Sequence, residues 1–220
     1  MNGARRGSGE KAVIVGGLSL ALAGCLAPWV DHKTAGLAMT GLELGEFAVA
    51  FPHVIREFLY VPWAAALVSL ALATAGLLES RWRVLLPPLC AAGVLAAVFP
   101  YTFVTGLYDG LTSGSPLDLD IRYMGQAQVA VAAAVLALLA VVGWRLPKRL
   151  QAVALALIAA AGAGLGLWQY AVLLPSVTAV YGRPVPLGWG LFASGSGLVA
   201  VAAVGALRAV RRCTPAEADA

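Results

Sequence analysis

The sequence predicts an all-α, polytopic membrane protein: a six-helix transmembrane bundle with short interfacial helices and a small strand pair in its longer connections. Three observations carry that reading. Apolar residue types make up 60% of the 220 residues and charged ones only 12%, whereas soluble domains carry about 25% charge. Six apolar stretches reach about 18 residues or more, enough to cross a hydrocarbon layer about 30 Å thick. Lysine and arginine, finally, gather in every second connection. Three cysteines in 220 residues make no disulfide scaffold, and composition excludes a disordered or collagen-like chain.

The expected spans are residues 12–30, 60–78, 84–101, 125–142, 150–173 and 185–207, and none holds Asp, Glu, Lys or Arg. Peptide groups in lipid must bond within their own segment, so runs this long and rich in Ala and Leu form helices. A barrel would alternate over about ten residues instead. Residues 1–11 and 208–220 are expected to be tails.

Arg5, Arg6 and Lys11 precede the first span, and Arg81 and Arg83 separate the second and third. Arg145, Lys148 and Arg149 separate the fourth and fifth, and Arg208, Arg211 and Arg212 follow the sixth. The opposite connections hold Lys33, Arg56, Arg122 and Arg183 among seven acids, Asp31, Glu43, Glu46, Glu57, Asp109, Asp118 and Asp120. The positive-inside rule therefore places both termini in the cytoplasm. The net charge of +4 is spread over short connections that face an anionic leaflet. It points to the lipid bilayer as partner and to no nucleic acid.

The long connections, residues 31–59, 102–124 and 174–184, all fall on the outer side. In the first, Leu44, Phe47, Ala48 and Phe51 share one helical face while Glu43, Glu46 and Ala50 share another. Pro52 should break that helix, and Val54, Ile55, Phe58 and Leu59 form a second stripe opposite His53, Arg56 and Glu57. Two short surface helices are expected, either a lid over the bundle or a ligand or partner surface. In the second connection, residues 117–123 alternate like a strand, and residues 177–185 around Tyr181-Gly182-Arg183-Pro184 are its candidate partner.

Candidate ligand-binding residues from these connections are His32, Glu43, Glu46, His53, Glu57, Asp118, Asp120 and Arg122, joined by Trp189 at the outer mouth of span six. Asp118-Leu119-Asp120 fits a D-x-D pair for a hard cation and a phosphorylated donor, or plain polar-out alternation. His32 and His53 match no metal-ligand spacing, and no span supplies a histidine for haem, so neither metal nor cofactor is expected. Ser194-Gly195-Ser196-Gly197 superficially resembles the rhomboid serine motif, but no span supplies a histidine base. With Gly162, Gly166, Gly190, Ser194 and Gly197, it reads instead as helix-packing small-xxx-small faces.

Leu22-Ala23-Gly24-Cys25 resembles a bacterial lipoprotein processing site, yet the apolar run continues through Trp29, so an intact first span and a lipidated Cys25 are both open. The expected location is the inner membrane of a bacterium. Three function classes follow. The first is a non-catalytic accessory subunit or outer-face binding module with a membrane-protein partner or a second copy of itself. The second is a transporter component. Six spans, inward termini, a long connection after span one and the Ala23-xxx-Ala27 face resemble, in architecture, the substrate-binding subunits of energy-coupling-factor vitamin transporters. The third is a transferase using Asp118 and Asp120.

Overall fold

The computed structural model describes residues 2–31, 38–77, 82–98, 108, 110–113 and 124–211. They form helix α1 (Asn2–Leu26), strands β1 (Pro28–Val30) and β2 (Met39–Thr40), and helices α2 (Gly41–Phe47), α3 (Glu57–Leu72), α4 (Leu86–Val98), α5 (Met124–Leu139), α6 (Lys148–Tyr181) and α7 (Trp189–Arg211). Five helical segments, Ser8–Leu26, Glu57–Gly76, Met124–Gly143, Lys148–Tyr181 and Trp189–Arg211, are long and apolar enough to cross a membrane. The third expected span is represented by the 13 residues of α4, with Pro87 and Pro88 in its first turn, where a missing backbone donor costs nothing; residues 99–101 lie outside the described set.

Helix α3 is the hub, packing on α1, α4, α5 and α6, while α7 fills the groove between α1 and α6. Helix α3 accommodates Pro62 in its second turn, and its end opens into a π-helical turn, Ala73–Leu77. The core between these helices is lined by Ile14, Leu18, Tyr60, Val68, Leu155 and Leu198. Small residues set the spacing. A side chain on Gly24 would collide with the backbone of Ser194 and sit 2.7 Å from the Gly190 carbonyl. One on Gly197 would strike the Gly17 carbonyl and lie 2.7 Å from the Ala21 nitrogen. Gly162 faces Ala65, and Gly166 faces Pro62. All five expected packing positions thus lie at helix crossings, since Ser194 meets Gly24 and Gly190 also faces the Gly24 and Ala27 carbonyls.

At one end, here the basic end, Arg208 Nε and Arg211 Nη1 reach the Glu10 carboxylate at 2.8 and 2.5 Å, clamping the start of α1 to the finish of α7. Lys148 donates to the Gly76 carbonyl, and Gln151 Nε2 donates to the carbonyls of Gly143 and Leu146 at 2.6 and 2.8 Å. Arg208 and Arg211 stand in the last turn of α7, and Lys148 caps a carbonyl at the end of α3, places where the helix dipole favours cations.

Several expected boundaries shift. Span one ends at Leu26, and Pro28–Val30 leaves the helix to pair with Met39–Thr40, with a further bridge from Val30 to Leu187. The small strand pair therefore forms here. Residues 177–181, expected to pair with 117–123, are instead the last turn of α6, because Pro175 is accommodated and Gly182, at φ 65°, supplies the left-handed stop; residues 114–123 lie outside the described set. Helix α1 starts at Asn2 within the expected tail, and α7 begins at Trp189 rather than Val185. The second expected surface helix does not form separately. Residues 52–56 turn, and Glu57 opens α3 itself. Val54 and Leu59 are buried as expected, but Ile55 is 47% exposed while Arg56 is buried, because turn geometry replaces helical periodicity there.

Candidate site at the capped end

Opposite the basic end, β1, β2 and α2 fold over the tops of the helices. Trp29 anchors this cap. Its indole Nε1 donates to the Gly24 carbonyl at 3.0 Å, and its own carbonyl accepts from the Gly188 amide at 2.8 Å and the Tyr170 hydroxyl at 3.2 Å. The Trp29 and Tyr170 rings also meet edge to face, centroids 5.9 Å apart. Helix α2 rests on aromatic rings: a side chain at Gly41 would run into the Trp29 ring, and one at Gly45 into the Tyr60 ring.

Seven residues make a marginal helix in isolation, so α2 depends on its start. Thr40 Oγ1 accepts from the Glu43 amide at 3.2 Å, and the Glu43 carboxylate accepts from the Thr40 amide at 2.8 Å, a capping box. Glu43, expected to bind a ligand, is thereby engaged in holding the helix. Leu44 and Ala48 are buried beneath α2 as their spacing predicts.

Glu46 points the other way, onto α3 and α5. Its Oε1 accepts from the Tyr60 hydroxyl at 2.8 Å and from Gln126 Nε2 at 3.3 Å. Gln126 Nε2 donates also to the Val98 carbonyl. Glu57 lies 3.6 Å from the Arg56 Nε, and its carboxylate rests against Gly125, where any side chain would displace it. Glu46, Tyr60 and Gln126 therefore meet beside the Val98 carbonyl of α4, while the buried Arg56 and Glu57 pair at the start of α3, against Gly125 of α5.

The remaining expected site residues are scattered. His53 Nε2 and Ser176 Oγ are 3.2 Å apart, a strut between the turn before α3 and the far part of α6. Trp189, 59% exposed, stands at the first position of α7. His32, Asp118, Asp120 and Arg122 lie outside the described residues. Among the described residues, no three His, Cys, Asp or Glu side chains group as metal ligands do. A narrow crevice lies deeper, lined by Trp29, Pro62, Gly162, Leu167, Ser194 and Leu198.

Sequence reasoning found Glu46 and Glu57 but passed over Tyr60 and Gln126. The signal was present: Gln126 is a polar residue at the start of an apolar run, and in lipid such a group must find a partner. Counting charge alone misses it. Thr40-x-x-Glu43 was equally legible as a capping box. No protein-family model, curated protein or solved structure matches the chain.

Proposed function

We propose that the protein is a non-catalytic, six-span subunit or outer-face binding module of a membrane complex, set in the inner membrane of a bacterium with both termini in the cytoplasm. The observation that carries this reading is the division of the described surface. Val131, Val135, Leu138 and Val142 on and after α5, Leu157 on α6 and Phe192 and Val199 on α7 are exposed, a girdle suited to acyl chains. The basic end is tied shut by bonds within the molecule. The capped end, by contrast, presents Glu46 and Glu57 above buried polar groups.

Parity supports the sixth crossing. Glu10 pairs with Arg208 and Arg211, so the first and last helices begin and finish at the same end, which requires an even number of passages. Five long helices need α4 as the sixth. The side on which the cations gather supports the orientation.

The test is purification of the full chain in mild detergent from its own membrane, followed by cross-linking and native mass spectrometry. A stoichiometric membrane-protein partner, cross-linked to residues 41–51, is expected. A stoichiometric vitamin-sized adduct with no protein partner would overturn the reading in favour of transport.

A further inference from the structure

Gln126 is 1% exposed, and its Oε1 has no hydrogen-bond partner. Its orientation is not interchangeable. Nε2 donates to Glu46 Oε1 and to the Val98 carbonyl, so a flipped amide would set oxygen against two acceptors. The two carboxamide heteroatoms are about 2.2 Å apart. With Nε2 at 3.3 Å from Glu46 Oε1, the orphan oxygen lies within about 5.5 Å of that carboxylate oxygen; an ammonium nitrogen, its donors set tetrahedrally, bridges about 4.6 Å with two hydrogen bonds of about 2.8 Å, inside that limit. An acceptor buried beside a carboxylate, with no donor of its own, lacks a positively charged donor.

From this geometry we infer that the capped end binds a protonated primary amine, its ammonium donating to Gln126 Oε1 and to the Glu46 carboxylate. An alkylammonium has donors enough for both groups. Charge matches as well: among the described residues Arg56 pairs with Glu57, whereas the bonds to Glu46 come from neutral donors, Tyr60 and Gln126, so a single positive ligand suits it. Arg56 also disfavours a divalent ion, which would need six or more oxygens around it. Gly125 contributes by absence, since a Cβ there would displace the Glu57 carboxylate that pairs with Arg56. The inference rests on reading the capped end as a binding face, but amine binding is measured separately from partner capture, and either can fail alone.

The ammonium has two sources, a soluble amine or the ethanolamine headgroup of a phospholipid, and the experiment separates them. The full chain in mild detergent is melted with ethanolamine, with choline, which has no N–H to donate, and with sodium chloride at equal ionic strength. Vesicles containing ethanolamine or choline phospholipids are then solubilised with the protein and retained lipid is identified by native mass spectrometry. Ethanolamine should raise Tm in a saturable way, whereas choline and sodium should not. Glu46→Gln should weaken the apparent affinity about ten-fold, as loss of a charge-assisted bond does. Gln126→Leu removes the orphan acceptor at similar volume and should abolish the shift in a protein that still elutes as folded. Selective retention of ethanolamine lipid assigns the headgroup, and a shift without retention assigns a soluble amine; both support the site. Equal shifts with choline or sodium, or an undiminished shift in Gln126→Leu, overturn it.

Discussion

Single atoms decide much of this fold, because a membrane bundle has little hydrophobic drive between helices and relies on close contact and on satisfied polar groups. Gly197 and Gly195 show the first dependence. Both lie in one small-residue run of α7, but a Cβ at 197 meets backbone on α1 while a Cβ at 195 meets the Leu167 side chain at 3.5 Å, an ordinary contact. Gly197→Ala should destabilise by about 1–3 kcal/mol, as overpacking does. Gly195→Ala should be neutral or slightly stabilising, because alanine is the better helix former by up to about 1 kcal/mol. Unfolding in mixed micelles with increasing denaturing detergent measures both, and equal losses would refute close approach as the reason for glycine at 197. Gln169 shows the second dependence. It is buried, and its Nε2 has no partner, so Gln169→Leu should raise stability by about 1–3 kcal/mol by removing an unmet donor. A fall in the same assay would mean that the amide has a role the folded chain does not reveal.

Among whole elements, α1 shows how local sequence and packing combine. Leu22 to Cys25 read in isolation as a processing signal, but α1 continues through Cys25 to Leu26 and packs along α7, with Cys25 buried. Cleavage before Cys25 would strip α7 of its partner and expose the face built around Gly190 and Gly197. Intact mass of the purified chain should therefore retain the residues before Cys25; loss of the first 24 with gain of acyl mass would remove α1 from the bundle. At the other end of the same helix, Glu10→Gln should cost about 1 kcal/mol or less, with a smaller difference at high salt, because Arg211 is about half exposed and such pairs are screened. What the sequence made legible follows from these physics. Long apolar runs, alternating cations and the Leu44–Ala48 stripe each depend on composition or period, and they were readable. The ends of α1 and α6 were not. Whether Pro28–Val30 continues a helix or forms a strand depends on Met39, Thr40 and Leu187, far along the chain. Pro175 breaks helices in water, but here α6 passes through it to Gly182. The convergence of Glu46, Tyr60 and Gln126 is likewise a product of tertiary packing, as the last two residues are 66 positions apart in sequence.

At the scale of the whole molecule, the two ends are chemically different, and that difference is open to a direct test. Helix α6, with 34 residues, is about 51 Å long at 1.5 Å per residue, far beyond the hydrocarbon layer of about 30 Å, so it must project from at least one surface. Its first residues, Lys148 and Arg149, sit at the basic end, and its last turn lies near the cap. Projection on the cap side leaves the charges at the headgroup level, which agrees with the His53–Ser176 strut reaching the far part of the helix. Single cysteines report the sides. Val49 on the cap and Val84 at the basic end are both exposed, at 39% and 60%; Cys25 and Cys90 are buried, and Cys213 is replaced by serine. In intact cells a membrane-impermeant maleimide should label Val49→Cys, and it should label Val84→Cys only after permeabilisation. Labelling of both from the same side would break the parity that pairs Glu10 with Arg208, and labelling of Val84→Cys alone would turn the molecule over. In the second case the Glu46 carboxylate would face the cytoplasm, and the ethanolamine-lipid or soluble amine that it is proposed to bind would have to come from that side.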